Sequence, residues 1–209
     1  VLLGAGLVGL ATILPFQGAA IQASLLLAAW VWFTGSLHLD GLADSADAWV
    51  GGLGSRERTL AIMKDVHSGP MAMVTLILVL LLKQAAIQEL LLTHRLGLLL
   101  LPPLLGRSGL LLLLLTTHYA RPDGMGAVAA QNIPRTAAWS LLTLIASLLF
   151  FFYGVPGVVT TLGCLALFWF LRYLMLQRIN GTTGDSAGAL CELLETTALL
   201  LLAHGRLSI

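Results

Sequence analysis

The sequence predicts an all-α, polytopic integral membrane bundle of about six to seven transmembrane helices, and three observations predict it. Mean hydropathy is +0.93 and only 10% of the 209 residues are charged, against about a quarter in a soluble domain. Nearly uncharged apolar runs recur at roughly the 17–25 residues that cross a bilayer as helix. These runs lack the short alternating segments of a membrane barrel. The lipid bilayer is therefore the first expected partner. A net charge of +1 without a basic run gives nucleic acid no footing.

The expected spans are residues 1–16, 20–37, 70–92, 96–118, 137–153, 156–175 and 189–204, forming one transmembrane domain over 1–209. Gly4, Gly6 and Gly9 in the first suit close helix packing. The chain enters this run at Val1 with no Met and no basic leader, so the expectation is a natural start further upstream and no cleavable signal peptide. Pro102, Pro103 and Arg107 predict a kink or break in the fourth span. Leucine runs such as 110–115 suit lipid-facing helix, and Trp30, Trp32, Trp49, Trp139 and Trp169 suit interfacial anchors. Cys164 and Cys191 sit in apolar context and read as reduced, buried thiols.

Three polar segments, 40–69, 119–136 and 176–188, interrupt the apolar pattern. Two helices separate each from the next, so parity places all three on one side of the membrane. Arg56, Arg58, Lys64, Arg121, Arg135, Arg172 and Arg178 belong to that side, and Arg95 and Arg206 to the other. The excess of cations makes the polar side cytoplasmic. The chemically capable residues can then form one site.

The most informative segment is His38-Leu39-Asp40-Gly41-Leu42-Ala43-Asp44-Ser45-Ala46-Asp47. On a helix, Asp40, Asp44 and Asp47 share one face at i, i+4 and i+7. Such anions repel one another unless a cation lies between them. Carboxylate oxygens suit Mg²⁺, which shares its shell with phosphate. The alternative reading is a solvated acidic helix end with Asp40 as a cap. His38 falls nearly opposite the aspartate face, as apt for a satisfied interfacial histidine as for a base. Lys64, beside Asp65, suits a phosphate.

Asn180-Gly181-Thr182-Thr183-Gly184-Asp185-Ser186-Ala187-Gly188-Ala189 precedes the last helix, where free N–H groups can hold an anion or simply form a capped turn. Asp185 and Glu192 are seven apart and share a face; Glu195 reads as replaceable by Gln. Arg121-Pro122-Asp123-Gly124-Met125-Gly126 is either a phosphate loop or a plain turn. Arg107 lies inside an apolar run, where a charge usually has a functional partner. Lys83 suits snorkelling or local pairing.

The H-L-D-G-L-A-D-x-x-D run, then I-M-K-D, A-R-x-x-G-M-G, and G-x-T-G-D-x-x-G-A followed by E-L-x-E, resembles the adenosylcobinamide-GDP ribazoletransferase family, also called cobalamin-5′-phosphate synthases. The resemblance covers essentially the whole chain. It implies a bacterial inner-membrane enzyme that joins α-ribazole or its 5′-phosphate to adenosylcobinamide-GDP, releases GMP and uses Mg²⁺. His38, Asp40, Gly41, Asp44 and Asp47 fall on the first motif. Lys64, Asp65, Arg121, Gly184, Asp185 and Glu192 fall on the others. Ala48, His67 and Asn180 depart from the family pattern.

The expected chemistry is phosphoryl transfer. Asp40, Asp44 and Asp47 hold the metal. Lys64, Arg107, Arg121, Gly184, Asp185 and Glu192 bind phosphate or substrate. Asp47 or Asp65, with His38 behind, takes the proton. One rival is a CDP-alcohol phosphotransferase, whose aspartate pattern does not fit Asp44-Ser45-Ala46-Asp47. Another is a cation transporter, which would spread its acids along a path. The oligomeric state, a homo-oligomer included, is open.

Overall fold

The protein is described here by a computed structural model covering residues 1–13, 18–121 and 132–205. Its elements are α1 (Leu2–Ile13), α2 (Ala19–Phe33), α3 (Leu37–Gly51), α4 (Arg56–Ile62) and α5 (Pro70–Leu92). A 3-10 turn (Leu96–Leu100) then runs into α6 (Leu101–Thr116), followed by α7 (Arg135–Ile179) and α8 (Gly184–His204). An isolated parallel bridge pairs Tyr119 with Thr182. Residues 122–126 of the expected phosphate loop, and Arg206, lie outside the described residues.

The last helix is the axis of the bundle. α8 packs on α3, α5, α6 and α7. Its Leu190, Leu194, Ala198 and Leu199 are almost wholly buried, in one cluster with Trp30, Ile87, Leu90, Leu113 and Phe168. The outer helices are apolar on their exposed faces too, as Leu78, Leu81, Phe151 and Leu162 illustrate. A helix that is apolar all round suits a lipid surround.

Four helical stretches are long and apolar enough to cross a bilayer: Pro70–Leu92, Leu96–Thr116, Arg135–Ile179 and Gly184–His204. α2 and α3 pass that test only as a pair, and they meet at 88°. The bend is made by Gly35 and Ser36, both at positive φ. It turns α3, with its three aspartates, off the axis of α2. The described 12 residues of α1 are too few to cross alone. The expected six or seven spans are thus only roughly met.

Hydropathy placed two spans within α7, and α7 is indeed two helical arms joined at a break. The chain reverses between the arms at Gly154, whose φ of 52° and ψ of −139° are not helical. Arg135, at its start, donates to Leu115 O (2.9 Å). Arg172, in its second arm, donates to Thr116 O (2.6 Å) and Thr117 Oγ1 (2.9 Å). Both arms therefore reach the same end of α6. Between them lies an apolar cavity of about 440 Å³ lined by Trp139, Ala146, Cys164 and Phe168.

The kink or break expected at Pro102-Pro103 is a change of helix type, where the 3-10 turn gives way to the start of α6. The two prolines sit in the first turn of α6, where their missing N–H groups have no helical partner to lose. α5 occupies 70–92 as expected. α8 begins five residues before the expected 189, because Thr183 and Ser186 cap each other's backbone N–H.

The three polar segments do meet at one end. Ala120 N–H donates to Thr182 O (2.7 Å) and Thr182 N–H to His118 O (3.0 Å). Arg56 Nε donates to Ile179 O (3.0 Å), and Arg178 reaches Thr59 Oγ1 (3.0 Å) and Trp49 O (2.9 Å). At the opposite end Arg95 donates to the carbonyls of Leu202, Ala203 and Gly205, closing the C-terminus of α8.

Gly154 holds a backbone conformation open essentially to glycine. Gly154→Ala should cost on the order of 1–3 kcal/mol, read as a lowered thermal midpoint of the detergent-solubilised protein with unchanged helical content.

Candidate active site

The site begins with a contact between two backbones. A Cβ placed on Gly41 of α3 would lie 2.7 Å from Asp185 O and 3.0 Å from Asp185 Cα of α8. One turn deeper, a Cβ on Gly188 would lie 3.3 Å from His38 Cα. Glycine at these crossing points lets α3 lie directly on the first turns of α8. The crossing brings Asp40 and Asp44 to the same rim as Asp185.

The rim is anionic. Asp40 is exposed, and Asp44, Asp47 and Asp185 are half-buried. Burial, with the charges of Asp40, Asp185 and Asp47, pushes the Asp44 carboxyl up to about 6, against the pull of Arg121. Arg121 Nη1 donates to Asp185 Oδ2 (3.2 Å), and Nη2 to Leu60 O of α4 (2.8 Å). One guanidinium thus acts on two of the four carboxylates, Asp185 and Asp44.

The aspartates divide their work. Asp47 Oδ2 accepts from Gly69 N–H and its Oδ1 from Ala72 N–H (3.0 Å). Both oxygens therefore cap the start of α5, where unpaired N–H groups and the helix dipole favour an anion. The sequence reading made Asp47 a metal ligand and a base; the structure gives it this further partner. Asp40 and Asp44 keep their oxygens free of protein hydrogen bonds among the described contacts.

Asp65 and Lys64 are exposed, between α4 and α5. His67 N–H donates to Asp65 Oδ1 (3.0 Å), and His67 Nδ1 lies 2.7 Å from the same oxygen. These hydrogen bonds hold the Asp65 carboxyl below the usual carboxylate range. The neighbouring Met63 is buried, with its Sδ 3.7 Å from Thr183 Oγ1 at the cap of α8. The Lys64-Asp65 segment is anchored beside the rim by that contact.

His38, Arg107 and Glu192 face elsewhere. Glu192 and Glu195 are 3% and 0% exposed. Lys83 Nζ donates to Glu192 Oε2 and to Glu195 Oε2 (2.7 Å), and Arg107 Nη1 donates to Glu195 Oε1. Glu192, expected at the substrate, is paired inside the bundle, and so is the Glu195 read as replaceable. The charges acting on His38 are those of Arg107, Glu192 and Lys83. Its Nδ1 is buried without a hydrogen-bond partner. Gly184, also expected at the substrate, opens α8, with Tyr119 Oη 3.2 Å from where a Cβ would be. Sequence reasoning missed the Lys83 pairing, although an isolated lysine in an apolar run was its visible sign.

Oxygen donors with excess negative charge fit a hard divalent cation. Mg²⁺ commonly takes one or two protein carboxylates and completes its shell with water and substrate phosphate. Among the described residues no three or more His, Cys, Asp or Glu side chains are grouped so as to hold a metal ion by themselves. The open rim leaves those positions to water and phosphate. Asp40, Asp44 and Asp185 are the rim carboxylates that act on one another electrostatically.

The backbone contact is testable. Gly41→Ala forces α3 and α8 apart and should lower activity on the order of 10²-fold. Gly6→Ala, which meets open space in α1, should leave it unchanged. Product formation by the two purified variants makes the comparison.

The chain matches the family described as cobalamin-5-phosphate synthase over residues 1–203. It is 54% identical over 204 residues to an adenosylcobinamide-GDP ribazoletransferase of Pseudomonas paraeruginosa, covering 97% of this chain and 82% of that protein. The enzyme of the same name from Pseudomonas fluorescens is 52% identical over 183 residues, 88% and 75% of the two chains. That from Pseudomonas syringae is 50% identical over 200 residues, 96% and 82%. No solved structure matches.

Proposed function

This chain belongs to the cobalamin-5-phosphate synthase family, and from that premise we propose a reaction at the α3–α8 rim. The enzyme transfers the cobinamide moiety onto ribazole. In our reading the donor is adenosylcobinamide-GDP and the acceptor is a ribose hydroxyl of α-ribazole or of its 5′-phosphate; the 5′-oxygen is esterified in the latter, so the hydroxyl common to both forms is one on the ribose ring rather than the 5′-hydroxyl. The cobinamide-bearing phosphorus gains a bond to the acceptor oxygen and loses its bond to the departing GMP. The work is positioning and charge stabilisation, as in other phosphoryl transfers.

The observation that carries this reading is the meeting of Asp40 and Asp44 with Asp185 across Gly41. These carboxylates would hold Mg²⁺. When bound, Mg²⁺ supplies neutralising charge to the diphosphate and to the leaving GMP. Arg121, fixed by Asp185 and Leu60 O, presents its guanidinium to phosphate oxygens. Lys64, exposed beside the rim, adds a mobile cation. Asp47 keeps α5 in place beneath them. Asp65 with His67 is the pair left to accept the acceptor's proton.

Arg107 is engaged with Glu195 and serves the bundle rather than the phosphate. The Lys83, Arg107, Glu192 and Glu195 group is closed on itself and neutral, which argues against a cation path through the bundle. The excess of Arg and Lys at the rim end supports a cytoplasmic orientation in the bacterial inner membrane.

Asp44→Asn should reduce GMP release on the order of 10²–10³-fold while the protein stays folded in the membrane. The assay supplies adenosylcobinamide-GDP, α-ribazole and Mg²⁺ to purified enzyme, with chelation by EDTA as a second arm. Wild-type GMP release from Asp44→Asn refutes the assignment of the rim. Undiminished release in EDTA refutes the metal.

A further inference from the structure

Four ionisable side chains, three of them buried and Arg107 half-buried, are drawn together by ion pairs in the bundle. Lys83 of α5 is 2% exposed. Its ammonium donates to Glu192 and Glu195 of α8 and lies 4.7 Å from the centroid of the Trp30 ring of α2. Arg107 of α6 donates to Glu195. Two cations and two anions sum to zero, so the group presents no net charge to a substrate. It touches four helices.

The geometry of α8 ties this group to the rim. Glu192 follows Asp185 by seven residues, or about two turns, so the two project from nearly the same face. Any rotation of α8 that takes Glu192 off Lys83 takes Asp185 off Asp40 and Asp44. The leucines of α8 are buried among its neighbours, but hydrophobic contacts are non-directional and specify that rotation less sharply. Ion pairs with hydrogen bonds are directional.

We propose that Lys83, Glu192 and Glu195, with the half-buried Arg107, are positioning residues for the transfer: a formally neutral, ion-paired quartet that sets the rotation of α8 and so holds Asp185 at the rim. This rests on the reading of that rim as the metal and diphosphate site. The quartet touches no reacting atom.

Three variants in detergent or nanodiscs test it: Lys83→Met, Glu192→Gln and the double variant. Lys83→Met alone leaves two buried carboxylates against one guanidinium and should lower folded yield. The double variant restores neutrality, leaving Arg107 with Glu195, and should recover it. Turnover per folded molecule at saturating substrates, and the Mg²⁺ concentration giving half-maximal rate, are read for each. In the double variant turnover should fall about tenfold or more and half-saturating Mg²⁺ should rise, although stability is restored. A group that merely stabilises the fold moves neither quantity per folded molecule. Wild-type turnover in a well-folded double variant overturns the inference. If the double variant fails to fold, the isosteric Glu192→Gln decides on the same criterion. If wild-type activity ignores Mg²⁺ and EDTA, the metal reading fails, and turnover alone still decides the quartet's role.

Discussion

Carboxylates from two helices can share a rim only if the helices that carry them touch. Here that requirement reduces to the approach of the Gly41 backbone to the Asp185 carbonyl. A side chain at Gly41 would separate α3 from α8, and the repulsion among Asp40, Asp44 and Asp185 would favour the separation. Arg121 supplies part of the opposing attraction, and a divalent ion with its phosphate would supply the rest. The site is therefore strained electrostatically and held mechanically. Much of the surrounding structure, from the Asp47 cap of α5 to the Thr183–Ser186 cap of α8, fixes the ends of the helices involved.

Charge is handled in opposite ways at the two levels of the bundle. At the rim it is left unbalanced, where water and ligand can reach it. Inside, Lys83, Arg107, Glu192 and Glu195 cancel one another. The difference follows from solvation: an unpaired charge is tolerable beside water and very costly in an apolar surround.

Much of this was legible in the sequence. Hydropathy located α5, and loop parity correctly brought the three polar segments to one end. The i, i+4 relation placed Asp40 and Asp44 together because it depends only on helical pitch. Less legible were contacts set by residues far apart in the chain. The partners of Asp47 lie 22 and 25 residues later, and Lys83 meets Glu192 across 109. Local pattern also could not reveal that Ser36, a non-glycine residue, adopts positive φ and breaks α2 from α3. The early start of α8 was hidden because its cap consists of threonine and serine, which suit a turn equally well.

The order of residues along the chain gives the quartet a temporal meaning. Lys83 and Arg107 are synthesised well before Glu192 and Glu195. α5 and α6 thus enter the bilayer as bearers of orphan cations, and their counter-ions arrive with the final helix. Both carboxylates that pair with these cations lie on α8, and without them the cations bear the full cost of an apolar surround. Maturation of the whole bundle is in this way coupled to delivery of its C-terminal helix.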